Sequence, residues 1–425
     1  MTSTVLTPRL NAPTVHRLPN GLTVIAEQMP IEAVNLSLWV NVGSAVESDA
    51  INGMAHFLEH MVFKGTQRLC SGEFERLIEE RGAITNAATS QDYTHYYITT
   101  APKDFAQLAP LQIDVVLNCT IPDDGFERER LVVLEEIRRS DDNPRRRTFQ
   151  RAMQAAFERL PYRRPVIGSS EVISRLTPQQ MRDFHYTWYQ PQLITAVAVG
   201  NLPTAELIEI VTKGFVQANT SRLTAPTSHP AMTCESPFTE IIRQEYVDES
   251  LQQARLVMVW RVPGLMQIEQ TYALDVIAAI LGHGRTSRLV RELREEKSLV
   301  SHISVSNMTQ QLQGTFYISA ALPVENIPVV EAAIAQHIQS IQTQPVQESE
   351  IARIRTQVAN RFIFGNETPS DRASLYGYYH SMLGDLEPAF DYPAKIQSVD
   401  ATDILIAAQQ HLSPNAYGVV ILKPA

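Results

Sequence analysis

Short apolar runs open the chain and then give way to longer stretches of helical period. Val15 to Leu18, Leu22 to Glu27 and Val34 to Val42 read as strands, the first two joined through the turn Pro19-Asn20-Gly21. Residues 53–65 hold no proline, and Leu58, Met61 and Val62 continue an apolar run, so a helix is expected there. Ser71 is placed to cap a helix running to Arg81, with Gly82 placed to end it. Ala83 to Ser90 and Tyr93 to Thr100 form a hairpin pattern through Gln91-Asp92, and Pro102 to Cys119, Asp123 to Ser140 and Pro144 to Leu160 have helical character. Within the second of these helices Leu131 to Leu134 is apolar on every side, which predicts burial. Thr177 caps a further helix through His185 and Trp188, Leu193 to Val199 is a strand, and Thr204 to Val216 is a helix.

Residues 218–238 break this rhythm, being rich in Thr, Ser and Pro without apolar periodicity, as a linker is. The order then begins again. Ile241 to Tyr246 and Ala254 to Val262 read as strands, Thr271 to Leu281 and Ser287 to Lys297 as helices, and Leu299 to Val305 and Gly314 to Leu322 as strands. Helices are expected over Glu325 to Ile341, Glu348 to Phe364 and Pro369 to Leu383, and near Thr402 to His411, with Tyr417 to Leu422 a last strand. Halves of similar length and order predict an α+β protein with a duplicated unit, each copy an antiparallel sheet covered by helices. The expected domains are 1–217 and 239–425, joined by the linker.

A chain of 425 residues exceeds one core and predicts about two to four domain-sized units. Charged residues at 19% and hydrophobic ones at 44% describe a soluble globular protein. The net charge of −10 argues against a nucleic-acid partner, which favours a basic face. Cys70, Cys119 and Cys234 are odd in number and far apart, so they make no disulfide framework and point to a reducing compartment. The first thirty residues have neither the apolar core of a secretory signal nor the arginine-rich character of a transit peptide. No run approaches the roughly 18 apolar residues of a membrane span. The expectation is a cytoplasmic protein.

The chemistry lies in His56-Phe57-Leu58-Glu59-His60. On a helix the two imidazoles share a face one turn apart, with Glu59 beside them. Two imidazoles so placed can hold one zinc ion, and the carboxylate between them can reach a water at the metal. The pattern is the reversed zinc motif H-x-x-E-H. Two His and a Glu in five residues equally describe a polar helix face. The neighbours Phe57, Leu58, Met61, Val62 and Phe63 favour the metal, because a buried imidazole needs a partner. Zinc in a catalytic site takes a third protein ligand, and the best candidate region is the helix from Asp123, where Glu136 follows the apolar run and Glu129 lies two turns earlier on the same face. Composition alone favours a plainer reading, with Glu135 and Glu136 solvated and paired with Arg138 and Arg139.

Residues 14–66 and 123–142 resemble the pitrilysin superfamily of zinc peptidases, which includes insulin-degrading enzyme and the mitochondrial processing peptidase. The matching stretches are Asn20-Gly-Leu-Thr-Val24, Gly43-Ser-Ala, Ala55-His-Phe-Leu-Glu-His-Met-Val-Phe-Lys-Gly-Thr66 and the helix from Glu129 to Glu136. The resemblance implies one zinc ion per chain, held by His56, His60 and Glu136, with Glu59 as general base. Glu129 then orients a ligand or the base from outside the metal's own shell. It also implies that Thr85 to Ser90 is an edge strand to which substrate peptides add, with Asn86 and Ala87 touching the substrate backbone; an ordinary polar hairpin strand is the alternative. The activity implied is a zinc endopeptidase acting on oligopeptides or unfolded peptides within a clamshell chamber. The alternative is a non-catalytic subunit of a larger complex, as some relatives of this fold are. Only the first half carries the motif, since no H-x-x-E-H follows residue 60.

One position departs from the family pattern. Many members carry in the second half an Arg followed seven residues later by a Tyr, both of which help to bind substrate. Here Arg294 is present but Ser301 stands at the Tyr position. Arg294 is equally readable as a solvated helix residue. Members of this length form half of a clamshell, so the missing phenol implies a heterodimer, with a second family subunit supplying the Arg/Tyr pair, over a homodimer.

Overall fold

The structure, a computed structural model, describes residues 12–218 and 231–425. Residues 1–11, part of the stretch read for a leader, and residues 219–230, inside the expected linker, lie outside the described residues. The chain opens with β1 (Thr14–Arg17), β2 (Thr23–Gln28), β3 (Val34–Val40), α1 (Met54–Val62) and α2 (Glu73–Glu79). The hairpin β4 (Ile84–Thr89) and β5 (Thr94–Thr100) follows, then α3 (Pro102–Asn118), α4 (Asp123–Asp141), α5 (Pro144–Ala156), α6 (Ser170–Ile173) and α7 (Pro178–Trp188). β6 (Ile194–Gly200) and α8 (Thr204–Gln217) close the first half. The second half begins with β7 (Ile242–Val247), β8 (Ala254–Pro263) and α9 (Tyr272–Gly282). A π-helical segment (Val290–Glu296) leads to β9 (His302–Met308) and β10 (Gln313–Leu322). Then come α10 (Ile327–Thr343), α11 (Glu348–Phe364), α12 (Pro369–Leu383), α13 (Glu387–Ser398), α14 (Ala401–His411) and β11 (Gly418–Lys423).

The strands make two sheets, ordered β1-β2-β6-β3-β5-β4 and β7-β11-β8-β10-β9. Without β1 the two orders correspond strand for strand, which is the duplication expected from the sequence. The sheets are mixed, however, not antiparallel throughout. In each, the last strand of the half inserts between the first two, parallel to the first (β6 on β2, β11 on β7) and antiparallel to the second. A parallel pair requires a long crossover connection, and the helices of each half provide it.

The contacts within the chain group it into two compact units. The first takes the described residues up to Arg138, those from Pro165 onward in the first half, and Phe362–Phe390; the second takes Arg139–Arg164, Ala231–Arg361 and Asp391–Ala425. Each half therefore lends the other a helix. α12 lies on β3 and β6 of the first sheet, and α5 lies on β8 and β11 of the second. β3 and β6 are covered on both faces, which is why they read as unbroken buried runs. Under α12, Arg372 and the Tyr376 hydroxyl donate to the buried carboxylate of Glu27, at 2.9 and 2.7 Å. Gly377 meets the indole of Trp39 so closely that a Cβ would stand 1.9 Å from Nε1.

Several local expectations are corrected. α4 is buried on one face only, through Phe126, Val133 and Ile137 at helical spacing, while Leu131 and Val132 are 67% and 50% exposed. The run Leu131 to Leu134 is therefore not buried all round. α2 has no side-chain cap from Ser71; Gly72 takes the cap position at φ +80° and Glu73 accepts from the Cys70 N–H. The helix expected over Ser287 to Lys297 is π-helical, and α13, which carries Pro393 inside it, replaces an expected connection. Residues 231–238 form no regular element, yet Glu235 is buried and accepts from the N–H groups of Glu158, Arg159 and Leu160.

Gly377→Ala forces α12 away from Trp39. It is expected to destabilise the protein by about 2 kcal/mol or more, read as a lowered midpoint of thermal or denaturant unfolding.

Candidate metal centre

α1 begins with a problem of hydrogen bonding. Gly53 occupies its cap position at φ +99° and supplies no side-chain acceptor, so the first N–H groups of the helix have no local partner. Glu47 supplies one. Its buried carboxylate accepts from Gly53 N–H at 2.8 Å, Ala55 N–H at 2.7 Å and the Asn52 side-chain amide at 2.9 Å. A negative charge at the positive end of a helix adds to the hold. Only glycine fits at position 53, because a Cβ would stand 2.7 Å from the Ile167 carbonyl oxygen. Met54, Phe57, Leu58 and Met61 then bury the opposite side of α1, and Phe57 packs its ring 4.5 Å from that of Phe126 on α4.

So anchored, α1 presents His56 and His60 with ring centres 4.9 Å apart. Glu136, from α4, brings Oε2 to 3.7 Å from His56 Nε2 and 3.5 Å from His60 Nε2. Ligand atoms of these three residues all lie within 4.8 Å of one another, and among the described residues no other group of three or more His, Cys, Asp or Glu has that property. Two imidazole nitrogens and one carboxylate oxygen are a donor set that suits zinc. Glu135 pairs with Arg138 at 2.8 Å, so the neighbouring carboxylates of one helix separate into an ion pair within the helix and a member of this cluster.

Glu129 lies behind His60. Its Oε1 is 3.0 Å from His60 Nδ1 and its Oε2 is 2.6 Å from Lys64 Nζ. A carboxylate only accepts, so Nδ1 carries the hydrogen and Nε2 turns toward Glu136. Burial works against a charge on His60, but Glu129 and Glu136 outweigh it and raise its pKa to about 9. The hydrogen bond from His60 in turn lowers the pKa of Glu129, against the effect of burial.

Glu59 has a different environment. Burial raises its pKa above the ordinary carboxylate value, opposed by a hydrogen bond from the Thr89 hydroxyl. Thr89 ends β4, the open edge strand of the first sheet, and thus ties that strand to α1. Asn86 and Ala87 lie on the same strand, where the Asn86 side-chain oxygen accepts from the Ala87 N–H at 2.9 Å. The buried hydroxyls of Tyr96 and Tyr189 bond each other at 2.7 Å, and burial together with the nearby charge of Glu59 holds both phenols protonated. Of the residues singled out in the sequence, His56, Glu59, His60, Glu129, Glu136, Asn86 and Ala87 belong to the first unit. Arg294 belongs to the second, in the π-helical segment, where it pairs with Glu295 at 2.8 Å. Glu47, Thr89 and Lys64 went unrecognised in the sequence; Thr89, in the hairpin strand beside Asn86, had the nearest signal.

Two family profiles match. One described as "Insulinase (Peptidase family M16)" covers residues 22–170, and one described as "Peptidase M16 inactive domain" covers 175–358. This chain belongs to peptidase family M16. An uncharacterised zinc protease of Mycobacterium tuberculosis is 30% identical over 416 residues, covering 97% of this chain and 93% of that protein. Zinc protease PqqE of Helicobacter pylori is 27% identical over 415 residues, covering 96% and 92%. The crystal structure of a protease from Helicobacter pylori superposes with a TM-score of 0.91 at 26% identity, covering 97% of this chain and 99% of that one. The M16 architecture thus extends over both sheets; the second profile begins within the first half, just before α7, and runs on into the half without the H-x-x-E-H pattern. No helix among the described residues is long and apolar enough to cross a membrane.

Glu47→Ala leaves the N–H groups of Gly53 and Ala55 without their acceptor in a buried setting. It is expected to cost about 2 kcal/mol of stability and to lower the zinc retained after dialysis, measured by metal analysis beside the unfolding midpoint.

His60 is protonated near pH 7 in the metal-free protein, and a metal binds only the neutral ring. Zinc uptake near pH 7 should therefore release about one proton, seen by calorimetry in two buffers of different ionisation enthalpy. Affinity should rise with pH up to about 9 and then level. Glu129→Gln, which removes a carboxylate that holds that proton, should reduce the release.

Proposed function

We propose that this M16 chain is a zinc endopeptidase that hydrolyses oligopeptides or unfolded peptides, with one zinc ion held by His56, His60 and Glu136. The observation that carries this reading is the convergence of those three side chains beside Glu59, a half-buried carboxylate that is not among the ligating atoms. When bound there, zinc supplies a Lewis acid that acidifies a water and polarises a peptide carbonyl. Glu59 takes the proton of the attacking water and hands it to the leaving amine. Its raised pKa suits it to both directions of transfer. Thr89 holds the Glu59 carboxylate in place, and Glu129 fixes the ring of His60 through Nδ1.

The substrate is taken as an added strand on β4. A peptide carbonyl replaces the Asn86 side chain at the Ala87 N–H, so that pairing with the main chain, not side-chain identity, holds the peptide. Arg294 is the proposed contact from the second half. Ser301 spends its hydroxyl on Gln253, at 2.6 Å, and on the Ala321 carbonyl, and has none of a phenol's reach. A second M16 subunit is therefore proposed to supply the Arg/Tyr pair in a heterodimer.

The test is cleavage of a quenched fluorescent peptide by the purified chain, alone and with a candidate partner subunit, with zinc content read on the same samples. Glu59→Gln is expected to keep its zinc and lose about 10²- to 10⁴-fold in rate, whereas Glu136→Ala is expected to lose the zinc itself. The activity of the unmodified chain should fall at acid pH with a midpoint above the ordinary carboxylate range, as Glu59 protonates. Cleavage by the chain alone would dismiss the heterodimer. Absence of both zinc and cleavage would leave the reading of a non-catalytic subunit.

A further inference from the structure

The second unit carries two arginines and a histidine, Arg145, Arg255 and His302, that take no part in the zinc-site chemistry. Register places Arg255 on β8, Ala321 on β10 and His302 on β9 directly opposite one another across three neighbouring strands, so the three side chains stand on one face. The next row on that face is Val257, Ser319 and Ser304. The other face of the same strands, with Leu256, Ala320 and Ile303, lies in the hydrophobic core.

α5 crosses the polar face. Phe149 sets its ring 6.0 Å from that of Tyr317, and Arg261 Nε donates to the Ala156 carbonyl near the end of the helix. The other end of α5 brings Arg145 into the field of both Arg255 and His302. Strands about 4.8 Å apart put the backbones of Arg255 and His302 about 10 Å from each other. Between them, in register, stand only the small side chains of Ala321, Ser319 and Ser304.

These three groups have no acidic partner among the described residues. Among the described residues Arg145, Arg255 and His302 form no ion pair, and Arg255 Nε is a buried donor without an acceptor. The cost is visible in the titration of the group. Burial, then Arg145, lowers the pKa of Arg255; burial, then Arg145, Arg294 and Arg255, lowers that of His302. Like charges gathered without a partner repel, and one oxyanion among them relieves the repulsion while filling the vacant guanidinium donor. β9 is the terminal strand of its sheet, with its outer edge open to an added strand.

We propose that Arg145, Arg255 and His302 form an oxyanion site that takes the C-terminal carboxylate of an extended peptide, a role that rests on the peptidase reading above. The shared chemistry is that of an oxyanion, so a free inorganic anion is the other source to be distinguished.

The experiment measures binding, not cleavage, with the full chain carrying Glu59→Gln. A fluorescein-labelled decapeptide is titrated by anisotropy as free acid and as C-terminal amide, and inorganic phosphate is titrated by calorimetry. The free acid should bind about tenfold tighter than the amide. Arg255→Gln should abolish the difference with the amide's affinity unchanged, and so should His302→Gln, at an exposed position where folding is not at issue. Equal affinity for acid and amide overturns the site and leaves the peptidase reading standing. Binding of phosphate but of neither peptide, lost in Arg255→Gln, assigns the site to free anions and overturns both the carboxylate role and peptide binding. Binding of neither peptide nor phosphate overturns the site altogether.

Discussion

The geometry of the candidate metal centre depends on a single buried carboxylate. α1 has to start abruptly, at a glycine with positive φ pressed against the Ile167 backbone, so that two turns of helix can aim His56, Glu59 and His60 in one direction. Such a start leaves amide groups exposed to an apolar surround. Glu47 reaches over from six residues upstream and closes them. The two imidazoles and Glu59 thus stand on an acid that is itself no member of the cluster. The same logic recurs behind His60, where Glu129 sets the tautomer, and at Glu59, where Thr89 fixes the rotamer. In each case a residue of the candidate site is held by one that stands behind it.

Those supports explain what the sequence revealed and what it concealed. His56, Glu59 and His60 were legible because helical spacing alone brings them together. Glu136 was not legible from composition, since Glu135 and Glu136 both have arginine neighbours; only their rotation around α4 turns one to Arg138 and the other toward the imidazoles. Leu131 and Val132 misled, because an apolar run of four on a helix cannot face one way. The strands were readable from their apolar runs, but the direction of β6 and β11 was not, being fixed by the crossover and not by any residue in the strand. α13 was hidden by its prolines, and the cap of α1 by its distance in sequence. Long-range partners leave no local pattern.

Duplication gave the chain two sheets of the same order with opposite chemistry at corresponding places. The first places a carboxylate, Glu59, under its edge hairpin through Thr89; the second gathers arginines and a histidine beside its own edge strand.

The exchange of α5 and α12 also has a consequence for synthesis. The first sheet is complete at Gly200, but the helix that covers its Ile25, Trp39, Val197 and Val199 face begins only at Pro369, roughly 170 residues later. At about 5–20 residues per second, that apolar face waits on the order of 10–30 s for its cover to leave the ribosome. Throughout that interval the nascent chain displays an indole and three aliphatic side chains that no earlier segment can hide, a surface suited to a chaperone before it is suited to α12.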